Sequence, residues 1–115
     1  MRLSNQQLNQ FEDQGYLFFP ELFSENEMQT LLDEVPKLMT RQTNDNLKEK
    51  TGTFRQLYNS HRDSAPFKAL SRHPRILEGV HQILGGKVYI WHSKINVKES
   101  FEGTVWHGWQ ERVRL

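Results

Sequence analysis

The sequence predicts an α+β fold with its helices placed ahead of its longest strand, and three observations carry that reading. Ser24 and Glu27 form the S-x-x-E pair of a capping box, and Met28, Leu31, Leu32, Val35 and Leu38 follow at helical spacing. Ile76, Leu77, Val80, Ile83 and Leu84 repeat the pattern and run into Gly85-Gly86, a stop signal. Lys87 to Lys98 instead alternates, which is the period of a strand.

The remaining elements follow in chain order. Ser4 is placed to cap a helix over 4–14 that buries Leu8 and Phe11 and ends at Gly15. Tyr16-Leu17-Phe18-Phe19, closed by Pro20, reads as a short buried strand. The second helix spans 24–39, and Pro36 inside its stripe removes a backbone donor, so a kink or an early end is expected. Residues 41–52 are polar and without period, the mark of an exposed loop. Thr53 to Tyr58 reads as a strand, and Pro66 starts a short helix carrying Phe67 and Leu70. Pro74 ends or restarts it, and the third long helix covers 75–84. No repeat, low-complexity tract or linker divides the chain, so residues 1–115 read as a single, partial domain.

Composition narrows the function. Net charge is +1 with Lys and Arg scattered, which gives no footprint for nucleic acid or a membrane surface. The chain has no cysteine, so disulfides and thiolate zinc sites are excluded. The first residues are polar rather than signal-like, and the longest apolar run, Tyr16 to Pro20, is far shorter than a membrane span. A soluble, cytoplasmic protein with a small-molecule partner is the expectation.

The strand over 87–98 holds the candidate site. By parity one face carries Tyr89, Trp91, Ser93, Ile95 and Val97, and these are expected in the core. Trp91, Ile95 and Val97 are then expected to be more buried than Lys94 and Lys98. The opposite face runs from Val88 and Ile90 into His92, Lys94, Asn96 and Lys98. Such a row is either an ordinary solvent-facing sheet surface or a cleft wall that meets an anionic ligand, and parity alone leaves both open.

Phe11-Glu12-Asp13-Gln14-Gly15-Tyr16-Leu17, the capped helix after it, and Val88-Tyr89-Ile90-Trp91-His92-Ser93-Lys94-Ile95-Asn96-Val97-Lys98 resemble the phytanoyl-CoA dioxygenase family, in the branch that includes ectoine hydroxylase. Phe101-Glu102-Gly103-Thr104-Val105-Trp106 extends the resemblance, which covers about residues 8–106. It implies N-terminal helices around the first strands of an incomplete double-stranded β-helix, the jelly roll. It also implies iron(II), 2-oxoglutarate and dioxygen as the means of hydroxylating a small organic substrate. By this resemblance Asn96 would contact 2-oxoglutarate, while His92 and Lys94 would lie toward substrate or cosubstrate. Family members hold the metal with a His-x-Asp pair and a distal His, and pair 2-oxoglutarate with an Arg beyond it. That is the 2-His-1-carboxylate arrangement.

The resemblance breaks at the metal strand. An ungapped match sets Trp109 at the His position and Glu111 at the Asp position, and a gapped match deletes the His. His107 and Glu111 share a strand face but stand four residues apart, about 13 Å at roughly 3.3 Å per residue. An i, i+2 pair spans only about 6.6 Å, and a metal with bonds near 2 Å needs that closeness. His61 and His73 sit near turn-like residues and read as surface side chains, and His81 lies on a helix's polar side. Arg112 and Arg114 follow too soon to be the family Arg. No metal ligand and no catalytic residue is therefore assigned. The expectation is a truncated, frame-shifted or degenerate family member that is inactive as this chain. The alternative is a small non-catalytic binding or interaction protein built on the same front end.

Overall fold

The computed structural model describes residues 1–50, 52 and 54–98. In order the elements are α1 (Asn5–Gln14), α2 (Glu25–Met39), β1 (Asn46–Lys48), β2 (Phe54–Tyr58), α3 (Ser60–Asp63), α4 (Ala65–Ser71), α5 (Pro74–Leu84) and β3 (Lys94–Asn96). The fold is α+β. Its strands form one antiparallel sheet in the order β1-β2-β3.

The helix boundaries follow local chemistry. Ser4 and Gln7 close a capping box on α1, and Gly15 ends the helix at φ 82°, a left-handed value that a Cβ would oppose. Ser24 and Glu27 do the same for α2. Against expectation, α2 runs through Pro36 to Met39 without an early end. The carbonyl that Pro36 cannot serve belongs to Leu32, whose side chain is 57% exposed, so this turn of the helix faces solvent. Pro74 occupies the first turn of α5, where its missing N–H costs nothing, and Gly85 closes that helix at φ 75°.

Several contacts fasten α5 to the chain's start. Gln82 grips Leu3 in both directions, its Oε1 accepting from the Leu3 N–H at 2.6 Å and its Nε2 donating to the Leu3 carbonyl at 3.1 Å. Leu3 is 5% exposed and lies over Gly79, where an added Cβ would stand only 3.2 Å from Leu3 Cγ. Arg75 donates to the Leu22 carbonyl at 3.0 Å and to Glu27 Oε1 at 2.8 Å. His73 caps α5 through Nδ1 and meets the Phe23 ring edge-on at 5.2 Å. It is half-buried, with part of the ring against Phe23 and part still open to solvent.

Arg75 also sets the acid response. Its hydrogen bond, and then the Ser24 backbone N–H, hold the Glu27 carboxyl down from 4.5 to about 2. Because the folded value lies below the unfolded one, the stabilisation is fully present above pH 4.5 and is lost as pH falls toward about 2. Glu34 is lowered in the same direction by Lys37 and then by the Ser64 hydroxyl. Stability curves of the native chain and Glu27→Gln should run parallel above pH 4.5 and converge toward pH 2. A gap that stays constant across that range would remove this role for Arg75.

Three expected elements come out differently. Tyr16 to Phe19 alternates like a strand but has no partner strand among the described residues. Leu17 and Phe19 turn toward a cavity of about 230 Å³ that Leu3, Phe11 and Val80 also line, and Tyr16 and Phe18 are left 62% and 78% exposed. Residues 41–52 are not all loop, because Asn46–Lys48 pairs with β2 as β1. Three residues with a register shift between Leu47 and Lys48 leave no period to read.

The long strand over 87–98 shrinks to Lys94–Asn96. Its partner explains why: β2 ends at Tyr58, and Asn59 takes φ 58° and turns the chain into α3. The last bond on this side is Asn59 N–H to the Ser93 carbonyl at 2.9 Å. Residues before Ser93 therefore have no ladder among the described residues. Trp91 is 81% exposed and Tyr89 82%, which corrects the expectation that both lie in the core. Ile95 and Val97 are half-buried as expected and Lys98 is exposed, but Lys94 is also half-buried. Trp91→Ala should change stability by no more than about 0.5 kcal/mol, the range of exposed positions. A large fall in its melting temperature would mean that Trp91 is packed after all.

Candidate functional site

The site is built on β2 and β3. Gln56 stands opposite Asn96, Leu57 opposite Ile95, and Tyr58 opposite Lys94. Val97 N–H donates to the Arg55 carbonyl at 2.8 Å, so the Gln56–Asn96 pair is of the non-hydrogen-bonded kind. Side chains approach most closely in such pairs. Leu57 points to the core and is fully buried. Its neighbours Gln56 and Tyr58 therefore share the opposite face with Lys94 and Asn96.

On that face a hydrogen-bond relay orients Asn96. Tyr58 Oη donates to Gln56 Oε1 at 2.6 Å, and Gln56 Nε2 donates to Asn96 Oδ1 at 3.0 Å. Gln56 is 5% exposed, so this amide is held among protein atoms. Oδ1 is thereby engaged, and no hydrogen bond joins Asn96 Nδ2 to another of the described residues. A donor so presented suits a carboxylate oxygen.

His92 and Lys94 belong to a different neighbourhood. Both line a cavity of about 260 Å³ between the sheet and α4, together with His61, Ser93, Phe67 and Ile90. Asn96 does not line it. The expected row of three is thus divided: Asn96 is held by Gln56, while His92 and Lys94 meet at the cavity. His61, expected on the surface, is half-buried and shares a 2.6 Å hydrogen bond between its Nδ1 and Ser93 Oγ. Ser60, 1% exposed, also borders this cavity, and its hydroxyl has no partner among the described residues.

Sequence reasoning missed Gln56, Tyr58 and His61. The strand over 53–58 placed Gln56 and Tyr58 on one face, and a Gln followed by the apolar Leu57 was the available signal. Nothing along the chain announces that α3 carries His61 back to Ser93. Below the sheet, Arg41 ties the pieces together. Its guanidinium donates to Asn46 Oδ1 at 2.6 Å, the Tyr58 carbonyl at 2.9 Å and Asp63 Oδ2 at 2.8 Å.

Among the described residues no group of three His, Asp or Glu could hold a metal ion. His107, Glu111 and the matching stretch at 101–106 lie outside the described residues. No helix among the described residues is long and apolar enough to cross a membrane.

Capped helices thus stand beside a strand that presents an amide and a cationic side chain. Residues 11–113 match the family described as Phytanoyl-CoA dioxygenase (PhyH), and the chain belongs to that family. It is 35% identical over 112 residues to the ectoine dioxygenase of Halomonas elongata, covering 91% of this chain and 34% of that protein. The ectoine dioxygenase of Bordetella parapertussis is 31% identical over 112 residues, with 91% and 36% covered. The L-proline trans-4-hydroxylase of Streptomyces griseoviridis is 28% identical over 93 residues, with 80% and 35% covered. The chain spans about a third of the length of these curated relatives.

Proposed function

We propose that this chain is the front part of an iron(II)/2-oxoglutarate dioxygenase that hydroxylates a small organic molecule, and that by itself it does not turn over. In this reading the β1-β2-β3 sheet is the start of a double-stranded β-helix. Asn96 donates from Nδ2 to 2-oxoglutarate, and His92 and Lys94 face substrate from the neighbouring cavity. The observation that carries it is the Tyr58–Gln56–Asn96 relay, which spends a buried glutamine on aiming one amide. Iron(II), once held, would supply oxygen activation, and the described residues provide no set of three ligands for it. The relatives' names, which give ectoine and L-proline, support a small-molecule substrate. Scattered charge and a net of +1 support a reading with no nucleic-acid or membrane-surface partner, and the polar first residues support a cytoplasmic one.

The second reading is a non-catalytic binding module, favoured by the cavity that His92 and Lys94 border. His92 is exposed and Lys94 only half-buried, so a charge contact there stays open to solvent and contributes about 0–1 kcal/mol, whereas a millimolar dissociation constant already requires about 4 kcal/mol. A dicarboxylate is therefore expected to bind at millimolar strength or weaker. Purified residues 1–115 should neither bind iron(II) stoichiometrically in an anaerobic titration nor convert 2-oxoglutarate to succinate. Iron-dependent succinate that disappears in His107→Ala or Glu111→Ala would overturn the inactive reading. Dicarboxylate binding in the micromolar range without succinate, lost in Lys94→Ala, would establish the binding module instead.

A further inference from the structure

We infer that the pocket between α3, α4 and Ile90 is an anion site that takes the phosphate group of a small molecule. This goes beyond the oxygenase reading and does not rest on it. The pocket measures about 310 Å³ and is lined by His61, Arg62, Lys68, Ser71, Arg72 and Ile90. Among the described residues no acidic side chain lines it. The carboxylates are spent elsewhere. Arg41 is paired with Asp63 at 2.8 Å, Lys37 with Glu34 at 2.9 Å and Arg75 with Glu27 at 2.8 Å. Arg62, Lys68 and Arg72 have no such partner among the described residues. Even Asp63, next to Arg62 in the chain, already gives its Oδ2 to Arg41. Three unpaired cations thus line one pocket.

Their arrangement selects the anion. Lys68 and Arg72 stand four residues apart at the end of α4, a spacing at which like charges repel. The negative end of the helix offsets part of that, but Arg62 adds a third positive charge from α3. A bound anion removes the repulsion. Ser71 supplies no donor, because its hydroxyl proton goes to the Lys68 carbonyl at 2.7 Å. His61 differs. Its Nδ1 lies 2.6 Å from Ser93 Oγ, and when that hydroxyl donates, Nε2 holds the ring proton and is left as a donor. Two guanidinium forks, an ammonium and an imidazole N–H exceed what a carboxylate can use. A phosphate monoester, with about two charges and three acceptor oxygens, matches the set. The pocket shares His61, Ser71 and Ile90 with the cavity that His92 and Lys94 border. An organic group on the phosphate therefore has an apolar space to enter beside Phe67 and Leu70.

The test titrates residues 1–115 at neutral pH and constant ionic strength with inorganic phosphate, phenyl phosphate and succinate, reading backbone amide resonances. Either phosphate should give saturable shifts centred on residues 61–62 and 68–72. Succinate should bind about tenfold more weakly, or less. Tighter binding of phenyl phosphate identifies an ester whose organic part enters the cavity, and equal binding identifies the free ion. Both outcomes retain the site. Arg62→Gln/Arg72→Gln should weaken phosphate binding about tenfold or more, with resonances outside the pocket unmoved. Arg2→Gln/Lys50→Gln removes the same charge from exposed positions elsewhere and should leave binding unchanged. The proposal falls if no saturable shift appears, if succinate binds as well as phosphate, or if the two double variants weaken binding alike. It also falls if phosphate binds only after Glu102→Gln/Glu111→Gln has removed carboxylates of the chain itself.

Discussion

Leu57→Ala is expected to lower the melting temperature of the chain by about 8–20 °C, the largest effect of any single substitution considered. Leu57 has no exposed surface and sits in the central strand, flanked by Asn46 of β1 and Ile95 of β3. Only Leu3, Leu38 and Leu57 are buried apolar residues among those described, so little neighbouring mass is available to close the gap. Truncating a buried leucine costs about 2–5 kcal/mol through lost transfer energy and the cavity left behind. At roughly 4 °C per kcal/mol for a chain of this size, the stated fall follows. Thermal melting by circular dichroism measures it, with Leu47→Ala, on the 41% exposed β1 residue, as the comparison. Equal melting temperatures for the two variants would mean that the sheet is not the core.

Arg41→Ala is expected to cost about 2–3 kcal/mol in denaturant unfolding, the scale of hydrogen bonds to a charged group in a part-buried setting. The Arg41 side chain is 10% exposed and joins the end of α2 to β1, β2 and α3 through Leu38, Asn46, Tyr58 and Asp63. Removing it strands Asn46 Oδ1 and the Tyr58 carbonyl, which is why the loss exceeds that of a surface ion pair. Asp63→Asn should cost less than about 1 kcal/mol, since Asp63 is 45% exposed. Arg41→Lys should fall between, because one ammonium cannot reproduce the planar fork. An Asp63→Asn loss equal to that of Arg41→Ala would show that the ion pair alone carries the effect.

Both variants act where the chain's own order is least informative. Arg41 stands at the head of a polar stretch without period, and its partners in α3 and β2 lie 17 to 22 positions further on. A guanidinium that bridges elements leaves no periodic trace, because its function depends on distances set after the chain has folded. His61 is the same case: its neighbours suggest a turn, and only the placement of α3 brings it 2.6 Å from Ser93.

What the sequence determined by itself was local. Ser4, Ser24, Gly15 and Gly85 set the helix ends through caps and left-handed closure, interactions complete within a few residues. Parity correctly put Lys94 and Asn96 opposite Ile95, because alternation is a property of the strand backbone itself. Tertiary structure alone decided how far that parity extends. Burial requires a second surface, and β2 leaves the sheet at Asn59, so Tyr89 and Trp91 keep strand-like spacing without a partner among the described residues. It also divided the candidate row, giving Asn96 to buried Gln56 and leaving His92 and Lys94 to the cavity beside His61. A hydrogen bond between residues 40 positions apart is decided by register, and register is fixed only when two strands meet.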